Sequence, residues 1–144
     1  MENCQQANMS QSTLRTLTEV LLNATNRLDI NKLTQLTTED YTRIIVDPDG
    51  KPVMLNGQTA WTQYLHRTFA KLKDAAEKLD WEILAYDEEV GEQLASSVMK
   101  YRQATILSGQ PIIQVYWITT LWRKTAEGWK NAQWHASRLE QRIV

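Results

Sequence analysis

The sequence predicts an α+β fold in which three amphipathic helices lie on one strongly curved, mostly antiparallel sheet, forming a cone-shaped α+β barrel with an open end. Three observations predict it. Apolar residues recur at helical spacing in three stretches, all before residue 73. From Trp81 onward the chain reads as four long strands separated by tight turns. The last two strands, within Ile112–Leu139, hold four of the six tryptophans (Trp117, Trp122, Trp129 and Trp134). A hairpin that rich in indole needs a large surface to pack against.

The elements follow in order. Residues 1–11 are polar and read as a disordered tail. Ser12 is a suitable N-cap, and Leu14, Leu17, Leu21, Ala24 and Leu28 then form one apolar stripe. Asp29 breaks that pattern, and Asn31 is expected to cap a short second helix around Leu33 and Leu36. The β-branched and aromatic run Tyr41–Val46 predicts a strand. Asp47-Pro48-Asp49-Gly50 is a turn signal, and Pro52–Leu55 returns as a short strand that Asn56-Gly57 closes. Thr59 is placed to cap the third helix, which carries Trp61, Tyr64, Leu65, Thr68 and Leu72 on one face with Phe69 beside them. The charged stretch 73–80 reads as a helical extension or a loop. The meander then runs Trp81–Val90, a turn near Gly91, Leu94–Leu107, a turn at Ser108–Pro111, Ile112–Arg123, a turn at Gly128, and Trp129–Leu139.

The totals narrow the function classes. The 144 residues suit a single domain over 12–140, large enough to bury roughly 70% of its unfolded surface. With 16 basic and 17 acidic side chains, net charge gives no support for nucleic-acid or membrane partners. The lone cysteine, Cys4, excludes an internal disulfide. The N-terminal stretch lacks the basic start and apolar run of a signal peptide, and no apolar run approaches the ~20 residues of a membrane span. A soluble cytoplasmic protein is the expectation. Two histidines 69 positions apart, with no cysteine cluster, form no metal set. Five glycines without a phosphate-loop pattern argue against nucleotide binding, and no cofactor is expected. Neither Ser108 nor Ser137 has a nucleophile-elbow context.

The element order and the C-terminal motif resemble the nuclear transport factor 2-like superfamily, also called the SnoaL-like or ketosteroid-isomerase-like cone. The motif is Leu121-Trp122-Arg123-Lys124, then Gly128-Trp129-Lys130-Asn131, then Trp134-His135-Ala136-Ser137. Its Trp-x-Asn strand and His-x-Ser close are also similar to the association domain of calcium/calmodulin-dependent protein kinase. The likeness covers roughly residues 12–139, and Gly57 before the third helix fits the same pattern. It implies the cone fold and a dimer that pairs long strands back to back. It leaves the chemistry open, because one fold hosts isomerases, dehydratases, hydrolases and purely binding modules.

Each chemical reading can be set against the residues. The isomerase likeness places a general base at Asp47, in the Asp47-Pro48 step after the first strand; the same residues also read as a plain turn. The enolate donors of such an isomerase align roughly with Leu21 and Thr119, which supply no comparable donor. His135 sits at the family's terminal His position and is the other candidate base, with a structural role as its alternative. His66 falls on the polar side of its helix. The association-domain likeness implies a pocket arginine seven residues before the turn glycine, which is Arg102 before Gly109. A second pocket arginine of that family corresponds to Thr120, and Trp61 stands at a pocket histidine. Strand alternation groups Tyr116, Ile118, Thr120 and Trp122 on one face. The expected pocket therefore comprises Trp61, Tyr64, Arg102, Tyr116, Thr120 and Trp122. The alternative for Arg102 is an ion pair with a carboxylate on the outer face.

The combined expectation is a SnoaL-like domain that binds a small, mostly apolar organic molecule and dimerises through Ile112–Leu139. The alternatives are a non-catalytic association module, or an isomerase or dehydratase acting on a small apolar substrate.

Overall fold

The computed structural model describes residues 12–47, 50–72, 80–107 and 109–144. Its elements are α1 (Thr13–Arg27), α2 (Ile30–Leu36), β1 (Thr37–Val46), β2 (Pro52–Asn56), α3 (Gln58–Leu72), β3 (Asp80–Val90), β4 (Leu94–Leu107), β5 (Gln110–Thr125) and β6 (Gly128–Ile143). The expected tail, Pro48-Asp49 of the first turn, the charged stretch 73–79 and Ser108 lie outside the described residues, as do the side chains of Phe69 and Leu72.

Local signals account for the helices. Ser12 Oγ accepts the Arg15 N–H at 2.9 Å and caps α1. Leu14, Leu21, Leu22 and Ala24 are buried on its inner face. Leu28 ends the helix in the left-handed region at φ 56°. The cap of α2 is Asp29, two residues before the expected Asn31; its Oδ1 accepts the Lys32 N–H at 3.1 Å. Gly57 adopts φ +97°, donates its N–H to the Tyr41 carbonyl at 2.6 Å, and precedes α3, which starts at Gln58, one residue before the expected cap Thr59. The Gln58 side chain then ties α3 to the α2–β1 junction, donating to the Thr34 carbonyl at 3.0 Å and to Thr37 Oγ1 at 2.9 Å.

The six strands form one mixed sheet in the order β2-β1-β6-β5-β4-β3. All pairings are antiparallel except β1 with β6, which run parallel. β1 starts at Thr37, four residues earlier than its β-branched core suggests, because Thr37 already pairs with Asn131. The β5–β6 hairpin is longer than expected and turns through residues 126–127. There Thr125 Oγ1 donates to the Gly128 carbonyl at 2.7 Å, and Gly128 takes φ +107°.

Curvature has a local cause. The register slips at Leu84 in β3, between Ile83 and Ala85, and at Ala132 and Leu139 in β6, opposite the Leu121–Trp122 and Val115–Tyr116 steps of β5. Bulges of this kind bend and over-twist a sheet. The three helices cover the concave face. Leu14, Leu21, Leu33, Tyr41, Trp61, Leu65, Met99, Ile118, Trp122 and Trp134 make the core between them. At the core's polar centre the Trp122 Nε1–H donates to Thr120 Oγ1 at 2.9 Å, and Thr120 Oγ1 shares a hydrogen bond with Ser97 Oγ at 2.5 Å. That chain satisfies hydroxyls which burial would otherwise penalise.

Candidate functional site

The helices do not fill the cone completely. A cavity of about 190 Å³ remains between α1, α3 and the concave face of β1, β4, β5 and β6. Strand alternation explains its walls: Arg43 and Ile45 of β1, Tyr101 and Gln103 of β4, Tyr116 and Ile118 of β5, and Trp134 and Ala136 of β6. Trp61 and Tyr64 of α3, Leu22, Thr25 and Asn26 of α1, and Val46 at the end of β1 complete them.

The aromatic groups touch one another. Trp61 stacks on Tyr64 with ring centroids 6.1 Å apart, and Tyr101 tilts against Tyr116 at 6.4 Å. Toward the sheet's far end the Gln103 amide donates to Gln114 at 2.7 Å, and Gln114 donates to Gln141 at 2.6 Å, an amide ladder across three strands.

Arg43 is the cation among the described lining residues. Its Cζ lies over the Trp61 ring at 3.9 Å and over the Trp134 ring at 4.5 Å. Its Nη1 donates to the buried Tyr41 hydroxyl at 2.9 Å. Two N–H groups at the site, Arg43 Nε and Trp61 Nε1, are buried and have no hydrogen-bond partner among the described residues.

Burial sets the protonation of the phenols. It pushes the Tyr101 hydroxyl well above the ordinary value near 10, although the Arg43 charge opposes the shift. It raises Tyr116 as well, against the pull of Arg138. Both phenols are therefore protonated at neutral pH and act as hydrogen-bond donors, not as bases. Among the described residues no carboxylate, imidazole, thiol or amine lines the cavity.

The expected site residues divide accordingly. Trp61, Tyr64 and Tyr116 line the cavity. Thr120 and Trp122 lie on the same concave face but deeper, sealed in the core at 4% and 0% exposure, so they are walls behind the cavity. Of the two faces open to Arg102, the structure gives it the outer one. Tyr101 sits opposite Tyr116, which places Arg102 opposite Val115 on the convex side. There it pairs with Glu82 at 3.4 Å and Asp80 at 3.8 Å. Grouping Arg102 with Tyr116 was an error of register, since one residue of slip exchanges the faces.

The two candidate bases stand elsewhere. Asp47 Oδ1 accepts the Lys51 N–H at 2.8 Å, and the Asp47 carbonyl accepts the Gly50 N–H at 2.9 Å, which makes the residue part of a turn. His135 is exposed on the convex face opposite Thr119. Arg43, the cavity's cation, escaped the sequence reading. Its position two residues after Tyr41 and two before Ile45, with both neighbours apolar and inward, was the signal that could have found it.

Among the described residues no group of three histidine, cysteine or acidic side chains is close enough to hold a metal, and no helix is long and apolar enough to cross a membrane.

Comparison with known proteins adds the family. The SnoaL-like domain family matches residues 14–140. No curated protein matches the chain in sequence. Similar solved structures include an NTF2-like protein with a cystatin-like fold from Novosphingobium aromaticivorans, at 16% identity and TM-score 0.75, covering 96% of this chain and 88% of that one. A hexachlorocyclohexane dehydrochlorinase (LinA) type 2 aligns at 12% identity and TM-score 0.77 over 100% of this chain and 93% of that one. The S. rosetta CaMKII hub aligns at 19% identity and TM-score 0.69 over 87% and 93%. At these identities the likeness is one of fold.

Proposed function

The chain belongs to the SnoaL-like domain family, and from that premise we propose that it is a small-molecule-binding domain whose ligand site is the cavity inside the cone. Its structural neighbours range from a dehydrochlorinase to a kinase hub, so the lining and not the fold carries the reading. The supporting observation is the make-up of that lining. Trp61, Tyr64, Tyr101, Tyr116, Ile118 and Trp134 give an apolar enclosure, and a few donors are placed to orient what enters. Proton abstraction needs a base within reach, and the described walls supply none. Binding is therefore favoured over isomerase or dehydratase chemistry.

The test is thermal unfolding with toluene, a single-ring apolar probe. A ligand of the native state at about 100 times its Kd adds roughly 2.7 kcal/mol to stability. A saturable rise in Tm is the expected result; an unchanged Tm up to the solubility limit contradicts the reading.

The same proposal includes a homodimer formed through the C-terminal strands. All three helices cover the concave face, and the convex face keeps Trp117 and Val98 exposed at 41% and 44%. Leu139, 48% exposed at the β6 bulge opposite Val115, adjoins that surface. Light scattering at micromolar concentration should return twice the mass of the chain. A stable monomer contradicts the dimer, and a larger ring favours an association module.

A further inference from the structure

Arg43 is held in a way that its neighbours alone do not explain. A guanidinium in contact with indole rings has its faces occupied, and what remains for a polar partner is the row of N–H groups in its plane. Nη1 is already committed to Tyr41, at 2.9 Å. Among the described residues the Nε edge is buried and unpartnered, and no carboxylate pairs with the side chain. A charged group whose donors are not all paired is costly to bury, and the same side chain lines the cavity, where an acceptor for the guanidinium could sit. Trp61 adds a second buried N–H without an acceptor at the same wall. The rest of the lining is mostly aromatic or aliphatic, with Thr25, Asn26 and Gln103 as neutral polar groups and the protonated Tyr101 and Tyr116 phenols as further donors. The site is thus rich in donors, carries a positive charge, and is apolar around both.

We propose that the cavity takes a small aromatic or otherwise compact apolar acid, with its carboxylate on the Arg43 guanidinium and its hydrocarbon part against Tyr64, Tyr116 and Ile118. A planar carboxylate matches the in-plane N–H fork of a guanidinium, whereas a neutral amide of the same shape must turn one N–H toward it. Trp61 and Trp134 fix the fork in place, so little ordering is left for the moment of binding. This inference rests on the cone interior being a ligand cavity.

The experiment is isothermal titration of the full chain with benzoate and with benzamide, its neutral near-isostere, repeated on Arg43→Gln and Arg43→Lys. Benzoate should bind the unaltered protein at least about tenfold more tightly than benzamide. Arg43→Gln should weaken benzoate by about ten- to a hundredfold and leave benzamide nearly unchanged. Arg43→Lys keeps the charge but loses the fork, and should fall between the two. Equal affinity of the unaltered protein for benzoate and benzamide overturns the carboxylate assignment while leaving the cavity reading intact. Failure of both probes, together with toluene, overturns the cavity reading itself. The benzoate–benzamide comparison needs no substitution, so it decides the matter even where a variant fails to fold.

Discussion

Trp122→Ala is expected to destabilise the fold by about 3–5 kcal/mol, which lowers Tm by roughly 10–15 °C in a chain of this size. Trp122 has 0% exposure and is among the largest fully buried side chains of the core. Its removal leaves a void between sheet and helices that a β5 backbone paired on both sides is poorly placed to close. It also takes the Nε1–H from Thr120 Oγ1, in a hydroxyl pair already shut away from water. Trp122→Phe separates the two contributions. It retains most of the volume and loses the hydrogen bond, so a drop of about 1–2 kcal/mol is expected. Urea unfolding followed by near-ultraviolet circular dichroism checks both. A Trp122→Ala loss below about 1 kcal/mol would show that the side chain is not the packing centre the structure makes it.

Ala136→Phe is expected to abolish ligand binding and leave the fold as stable as before, or slightly more so. Ala136 lines the cavity from β6, next to Ile118 of β5 in the pairing register. Phenylalanine suits a strand, and its ring would occupy the space a single-ring ligand needs. Filling an existing void adds apolar contact without forcing neighbours apart, so stability should change by at most about 2 kcal/mol, in the favourable direction. The toluene-dependent rise in Tm should then vanish. A variant that retains it binds the probe somewhere other than the cone interior.

How much of this was legible in the chain differs by level. The helices were readable because their stripes are regular and capped: Leu14, Leu21 and Ala24 face the core as spaced. The four-strand meander was readable from its turns. The parallel β1–β6 contact was not, since nothing in Thr37–Val46 or in the last strand announces which edges will meet. That contact places Arg43 beside Trp134 and makes the cavity's cation. Alternation along one strand was legible, but the offset between neighbouring strands was not. For that reason Arg102 was grouped with Tyr116 when the register puts Tyr101 there. Trp61 and Tyr64 were visible as an aromatic pair one helical turn apart, and they do stack. The depth of Thr120 and Trp122 depended on how far the helices reach into the cone, which no strand pattern encodes.

If the space inside the cone is a ligand site, the side chains that line it must sense the ligand directly. The direct measurement is the indole N–H region of a nitrogen-15 NMR spectrum, recorded during titration with toluene on the unaltered chain and on Ala136→Phe. Trp61 and Trp134 line the cavity, whereas Trp117 is exposed on the convex face. The Trp61 and Trp134 resonances should move saturably while the Trp117 resonance stays in place, and none of the three should move in Ala136→Phe. Movement of Trp117 with Trp61 and Trp134 unmoved would contradict a ligand site inside the cone.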